Sequence, residues 1–179
     1  MMHTIHVDHV LREAVNTPYR NLVTRATGAA VRTSIEQAIA DTGCETALLD
    51  FSEVDLVDFS CAEEIVAKLL LAHGGMGRFV MLQGLRDGHL EPIEHVLNHH
   101  ALAILVRDPA GGTPRVLGRV SPELRRVLVE LHRLGPLGAG ELAERLDWPE
   151  ALAREALDTL ARLRLLRADD GAYHPLPLP

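Results

Sequence analysis

Ser60 is the residue of this sequence best placed to do chemistry. It stands in Asp58-Phe59-Ser60-Cys61-Ala62-Glu63-Glu64, a few residues after the strand-like run Leu48-Leu49-Asp50-Phe51 and at the expected start of a helix. A hydroxyl there could carry a phosphate against the helix's unpaired backbone N–H groups, which favour an anion. The same hydroxyl could instead be a plain N-cap worth about 1 kcal/mol. Asp58, Glu63 and Glu64 flank it as candidates for docking a partner.

Other spacings suggest chemistry less specifically. Glu91, His95 and His99 fall at i, i+4, i+8 on one expected helix, with His100 beside them, and His3, His6 and His9 add nitrogen donors. Two histidines at i, i+4 can share a metal ion, but neither an HExxH motif nor a cysteine partner accompanies them, so no metal or other cofactor is expected. Asp50, Glu53, Asp55 and Asp58 make an acidic rim without a phosphate-binding loop, the composition of a solvated edge or of a docking face for a basic partner. Cys61 at a helix start could be activated, although a small buried apolar role is commoner for a free cysteine. No nucleophile-elbow motif is present. Late in the chain, Arg154, Arg162, Arg164 and Arg167 are the side chains best suited to DNA phosphates and base edges. Glu150, Glu155 and Asp158 lie among them and oppose that use.

These residues need elements to hold them. His3 to Val10 alternates like a short strand. Residues 11–23 are ambiguous, broken by Pro18, and Thr24 to Asp41 has helical spacing up to Thr42-Gly43. Thr46 to Phe51 and Phe79 to Leu82 read as buried strands, and Leu102 to Val106 as the last strand. Ser60 to Ala72, closed by Gly74-Gly75, and Leu90 to Asn98 read as helices. The alternation implies a mostly parallel sheet with helices over residues 1–107. Residues 108–118, rich in Pro and Gly, read as a linker. Ser121-Pro122-Glu123 then opens a helix to about Leu134, with N-cap, first-turn proline and acid in order. Glu141 to Leu146 and Glu150 to Leu163 make two more helices, the last with Leu152, Ala156, Leu160 and Leu163 inward. A hairpin turning at Asp169-Asp170-Gly171 follows. Pro175 to Pro179 reads as an extended tail.

Bulk properties narrow the class. The 179 residues are 47% hydrophobic but only 3% aromatic, so Leu, Ala and Val must build the cores. Residues 1–118 hold 9 Lys+Arg and 15 Asp+Glu, and residues 119–179 hold 9 and 10, so neither half is basic. That argues against strong nonspecific DNA binding through phosphates. Two cysteines without a framework, no signal peptide and no membrane-length apolar run point to the cytoplasm and away from a membrane. Positive charge is nearly all Arg and Ala and Leu abound, a bias associated with some bacterial genomes.

The stretch Leu48 to Leu71 resembles the STAS superfamily, the fold of anti-sigma-factor antagonists, over about residues 20–106. In antagonists the strand leads to an Asp-Ser-Ser-Gly turn whose second Ser accepts phosphate from a partner kinase of the GHKL ATPase type. Asp58 and Ser60 match that turn; Phe59 and Cys61 do not. STAS-like domains whose turn reads Ser-Phe-Ala-Asp-Glu are more similar, matching at Ser60, Ala62 and Glu64, and Thr24-Arg25 also suits them. Residues 119–174 resemble a winged helix-turn-helix, a small α+β domain. Together the resemblances imply a non-enzymatic bacterial regulator. A STAS-like module would receive a signal or partner, with Ser60 as phosphoacceptor candidate. The winged helix would bind double-stranded DNA in transcriptional regulation, possessing the option of a homodimer. The alternative is a partner-switching adaptor that binds a GHKL-type ATPase/kinase or another protein and no DNA.

Overall fold

The structure is a computed structural model, and it describes residues 1–73 and 78–177. The Gly74-Gly75 stop and the last two residues of the expected tail lie outside the described residues. The chain is mixed α/β and divides into two compact units, Met1–Arg119 and Val120–Pro179.

The first unit is built on a five-stranded sheet: β1 (Met2–His6), β3 (Thr46–Asp50), β5 (Phe79–Gln83), β6 (Ala103–Arg107) and β7 (Arg115–Gly118), side by side in that order. The first four run parallel and β7 runs antiparallel to β6. Every residue of β3 is buried, as a continuous apolar run requires when both faces of a strand are covered. Leu48, Leu49, Met81 and Leu82 are fully enclosed. A second, two-stranded parallel ribbon pairs β2 (Asn21–Leu22) with β4 (Leu56–Val57).

Two boundaries differ from the sequence reading. The first strand stops at His6, and Val7–Val15 forms helix α1, whose Val7 and Leu11 are fully buried at i, i+4. The alternation of His3, Ile5 and Val7 had carried the strand one turn too far. Arg115–Gly118, expected as linker, is strand β7, with Val116 and Leu117 buried. Only residues 108–114 keep loop character.

Helix α2 (Arg25–Thr42) packs against a long composite helix, in which α3 (Phe59–Ala62), a π turn (Glu63–Ala67) and α4 (Lys68–His73) follow without a break. Their approach is close at Gly28, where a Cβ would lie 3.0 Å from the Cys61 Cα and 3.1 Å from the Glu64 Cβ. Helix α5 (Asp87–His99) begins a turn earlier than Leu90 and carries Pro92 inside its first turns.

The second unit holds α6 (Pro122–Leu134), α7 (Ala139–Leu146), α8 (Glu150–Arg162) and the antiparallel hairpin β8 (Leu166–Asp169) with β9 (Ala172–Pro175). Ser121 caps α6 by accepting from the Leu124 N–H at 3.3 Å, with Pro122 at the first position. Asp170 and Gly171, at φ 47° and 80°, supply the two left-handed residues of a tight hairpin turn. The core stripe of α8 is Ala153, Ala156, Leu157 and Leu160. Leu152, expected inward, is 47% exposed, and Leu163 is half-buried. The tail begins later than expected: Pro175 ends β9, and Leu176 is buried with its carbonyl 2.7 Å from His132 Nε2.

Candidate functional site

Asp58, not Ser60, caps the helix that carries the candidate hydroxyl. Asp58 holds extended geometry at φ −86° and ψ 171°. Its Oδ1 accepts from the Cys61 N–H and from the Ser60 hydroxyl, each at 2.8 Å. Its Oδ2 accepts from the Thr24 N–H at 2.9 Å. Ser60 is therefore at the second helical position, and the N-cap reading passes to Asp58. Burial alone would raise the Asp58 carboxyl; the Cys61, Ser60 and Thr24 donors outweigh it and hold the group below the ordinary carboxylate range. Asp58 stays ionised and is saturated by its own neighbours. It positions the Ser60 hydroxyl.

Thr24 is what joins the two helices here. Its backbone sits at φ 70° and ψ 144°, a conformation that β-branched residues rarely adopt. That geometry lets its N–H meet Asp58 while its carbonyl accepts from the Cys61 thiol at 3.1 Å and its hydroxyl caps α2 at Thr27. The start of α2 and the start of α3 are thus fixed to one carboxylate. Cys61 is enclosed, and burial, with Asp58 beside it, pushes its thiol up to about 12. It packs as a small buried side chain, and the raised value runs against activation by the helix start.

Glu64, another of the docking candidates, is buried. Its side chain is only 3% exposed. It meets Arg25 Nη1 at 3.2 Å, Arg32 Nε at 3.1 Å and Lys68 Nζ at 2.6 Å. Burial pushes its carboxyl up, and Lys68 and Arg32 outweigh that and bring it below its ordinary value. Glu64 lies within the π turn, a feature frequent at functional sites. Glu63 points elsewhere: its carboxylate lies 2.7 Å from His100 Nε2.

An open depression of about 420 Å³ borders Ser60 and is lined by Arg25, Phe59, Glu63, His95, Val96 and His99. Phe59 is 46% exposed and stacks edge-on with His95, ring centroids 5.0 Å apart. Leu56 on β4 and Val23, directly after β2, are also exposed. Ser60 and Glu63 of the sequence candidates come together at this depression. Asp58 supports it from behind, and Glu64 is withdrawn from it. Sequence reasoning missed Gly28 and the His100 contact to Glu63. A glycine inside an otherwise helical stretch was the available signal for the first.

The remaining histidines and acids do not converge. Among the described residues no group of three or more His, Cys, Asp or Glu could hold a metal ion. The acidic rim is dispersed by pairing, with Glu53 to Arg20 at 3.0 Å and Asp55 to Arg86 at 3.6 Å. Asp50 belongs to a polar row along the ends of four strands. His6 Nδ1 lies 3.6 Å from Asp50 Oδ2, the Gln83 amide donates to that oxygen at 3.0 Å, and Arg107 donates to Gln83 Oε1 at 3.3 Å. Burial would raise the Asp50 carboxyl, but hydrogen bonds from Ser52 and Gln83 hold it below its ordinary value. Gly84 makes room for the row: at φ 71°, a Cβ there would sit 2.7 Å from Asp50 Oδ1. His89, fully buried, places Nδ1 3.0 Å from the Arg86 N–H and Nε2 2.8 Å from the Val54 carbonyl. Those partners require the neutral ring with its proton on Nε2, and burial lowers its pKa.

In the second unit the four arginines are spread over different surroundings. Arg154 pairs with Glu150 at 3.1 Å, and Arg162 donates to the Thr159 hydroxyl at 3.0 Å. Arg164 follows the helix at φ 62°, half-buried, with burial lowering its pKa. Arg167 is half-buried on β8, 3.9 Å from Asp169. Tyr173 donates to Asp158 at 2.6 Å, fixing that acid on the same face as Arg154 and Arg162. No helix among the described residues is long and apolar enough to cross a membrane. The sequence matches no family model and no curated protein.

Proposed function

We propose that this chain is a non-enzymatic regulatory adaptor. A STAS-like first unit receives a protein partner at the Ser60 depression, and a winged-helix second unit makes a separate contact with protein. The observation that carries the reading is the Asp58 junction. One ionised carboxylate fixes both helix starts and holds Ser60 at the edge of a depression rimmed by the exposed Phe59 and by Arg25. An ordered hydroxyl, an exposed aromatic and an arginine at one place suit recognition by a partner and acceptance of a phosphate. A GHKL-type kinase is the partner that the antagonist resemblance suggests.

A second reading, transcriptional regulation through double-stranded DNA, draws on the three helices and hairpin of the second unit. It is the weaker one because Arg154 and Arg162 are engaged on their own helix, among Glu150, Glu155 and Asp158. Acids on that face repel phosphates.

The test is phosphosite mapping by mass spectrometry after incubation with ATP and a cognate kinase, on the native chain and on Ser60→Ala. The reading expects phosphate on Ser60 and loss of the modification in the variant. Phosphate found only elsewhere, or none with a kinase active on a control substrate, removes Ser60 from the account.

A further inference from the structure

The second unit carries a groove that its core does not need. It runs between the start of α6, the turn before α8 and the outer side of α8. Leu124, Trp148, Leu152 and Ala156 form its apolar lining over a volume of about 310 Å³. Leu152 contributes most conspicuously, being a leucine 47% exposed on α8 and outside the helix's buried stripe. The groove's charged residues are Glu123 and Glu155, and neither forms an ion pair with any described residue. Elsewhere on these helices Glu130 is matched by Arg133 and Glu150 by Arg154, while Asp158 accepts from the Tyr173 hydroxyl. An apolar trough with an unmatched carboxylate at its rim on α6 and another on α8 is complementary to an apolar ridge flanked by cations. Duplex DNA presents the opposite chemistry, phosphates and no aliphatic side chains.

We propose that this groove docks a basic amphipathic helix of a protein partner, with aliphatic anchors against Trp148 and Leu152 and Arg or Lys side chains against Glu123 and Glu155. The inference deepens the protein-contact reading of the second unit and rests on it. Trp148 is the chain's one tryptophan, so its fluorescence reports this site alone.

The experiment titrates the full chain with a designed peptide of about 18 residues, long enough to hold a helix. The peptide has Leu at i, i+3, i+4 and i+7 and Lys at the flanking positions. A counterpart carries Glu in place of Lys. The Lys peptide should shift Trp148 emission to the blue and saturate, and the Glu peptide should bind about tenfold more weakly or worse. Leu152→Ala should weaken the Lys peptide about tenfold, and the double variant Glu123→Arg with Glu155→Arg should invert the preference. These side chains are at the surface, and an unchanged circular dichroism spectrum establishes that each variant is folded. Equal binding of both peptides, or no shift with either, overturns the proposal while leaving the protein-contact reading standing. Emission already blue in the free chain, or blue-shifting with protein concentration as a dimer forms, assigns the groove to this chain's own residues and also overturns it. A salt-sensitive shift produced by duplex DNA instead of peptide defeats the protein-contact reading itself.

Discussion

The Ser60 turn and the outer face of α8 use carboxylates in opposite ways. At the turn, Asp58 is half-buried and Glu64 buried, and each gathers three donors drawn from two segments. On α8, Glu150 lies in solvent and reaches Arg154 one turn away on the same helix. The first arrangement ties distant parts of the chain together and leaves a hydroxyl, an aromatic and an arginine facing out. The second neutralises one cation, Arg154, that would otherwise attract nucleic acid, and ties no distant segments together. The same residue type therefore builds a site in one unit and discourages one class of ligand in the other. Burial and sequence separation of the partners decide which.

That contrast predicts a graded series of effects. Glu64→Ala should be the most costly, about 3 kcal/mol in urea unfolding, because it leaves Arg32 and its neighbours without their buried counter-charge. The partial exposure of Arg25 and Lys68 keeps the loss from being larger. A loss below that of Asp58→Ala would break the ranking. Asp58→Ala should cost about 2 kcal/mol, from a lost cap and from two backbone N–H groups left without their acceptor. It should also increase amide exchange at both Thr24 and Cys61. Protection lost at Cys61 alone would refute the shared anchor.

Acidification should destabilise the chain. Asp50, Asp58 and Glu64 are held below their ordinary values in the folded state, as is buried His89. The unfolded chain therefore takes up protons first, and folding loses free energy as pH falls. The decline should begin near the ordinary histidine value of about 6.5 through His89, and continue below about 4 through the carboxylates. Stability that holds level or rises between these points, followed by urea unfolding across pH, would contradict the buried neutral ring and the ionised anchors. Arg154→Ala should have the smallest effect, under about 0.5 kcal/mol, since the Arg154–Glu150 pair is solvent-exposed and local. A cost above that of Asp58→Ala would erase the difference between the two regions.

The legibility of the sequence follows the range of its interactions. Apolar runs such as Leu48-Leu49 and Phe79-Val80-Met81-Leu82 announce strands by local pattern, and Ser121-Pro122 and Asp170-Gly171 announce a cap and a turn by local backbone chemistry. The mostly parallel sheet follows from their alternation with helices. What needed coordinates was long-range. Ser60 reads as a cap by its place at the helix start, but Asp58 takes that role by accepting from the Cys61 N–H, and its further tie to Thr24, distant in sequence, has no local signal. Glu64 reads as a surface acid because two of its partners, Arg25 and Arg32, are distant in sequence. Leu152 read as core because alanines such as Ala153 conceal the true inner stripe of α8. Strand β7 was hidden by the Pro- and Gly-rich residues immediately before it.

The central claim is that the second unit contacts protein and that its arginines are not a DNA-reading set. An electrophoretic shift with duplex DNA, including the chain's own promoter region and titrated with salt, tests it most directly. The account predicts no salt-sensitive complex, and no difference between the native chain and the double variant Arg154→Ala with Arg167→Ala. A complex that weakens steeply as salt rises and is abolished in that variant would contradict it and establish the DNA reading in its place.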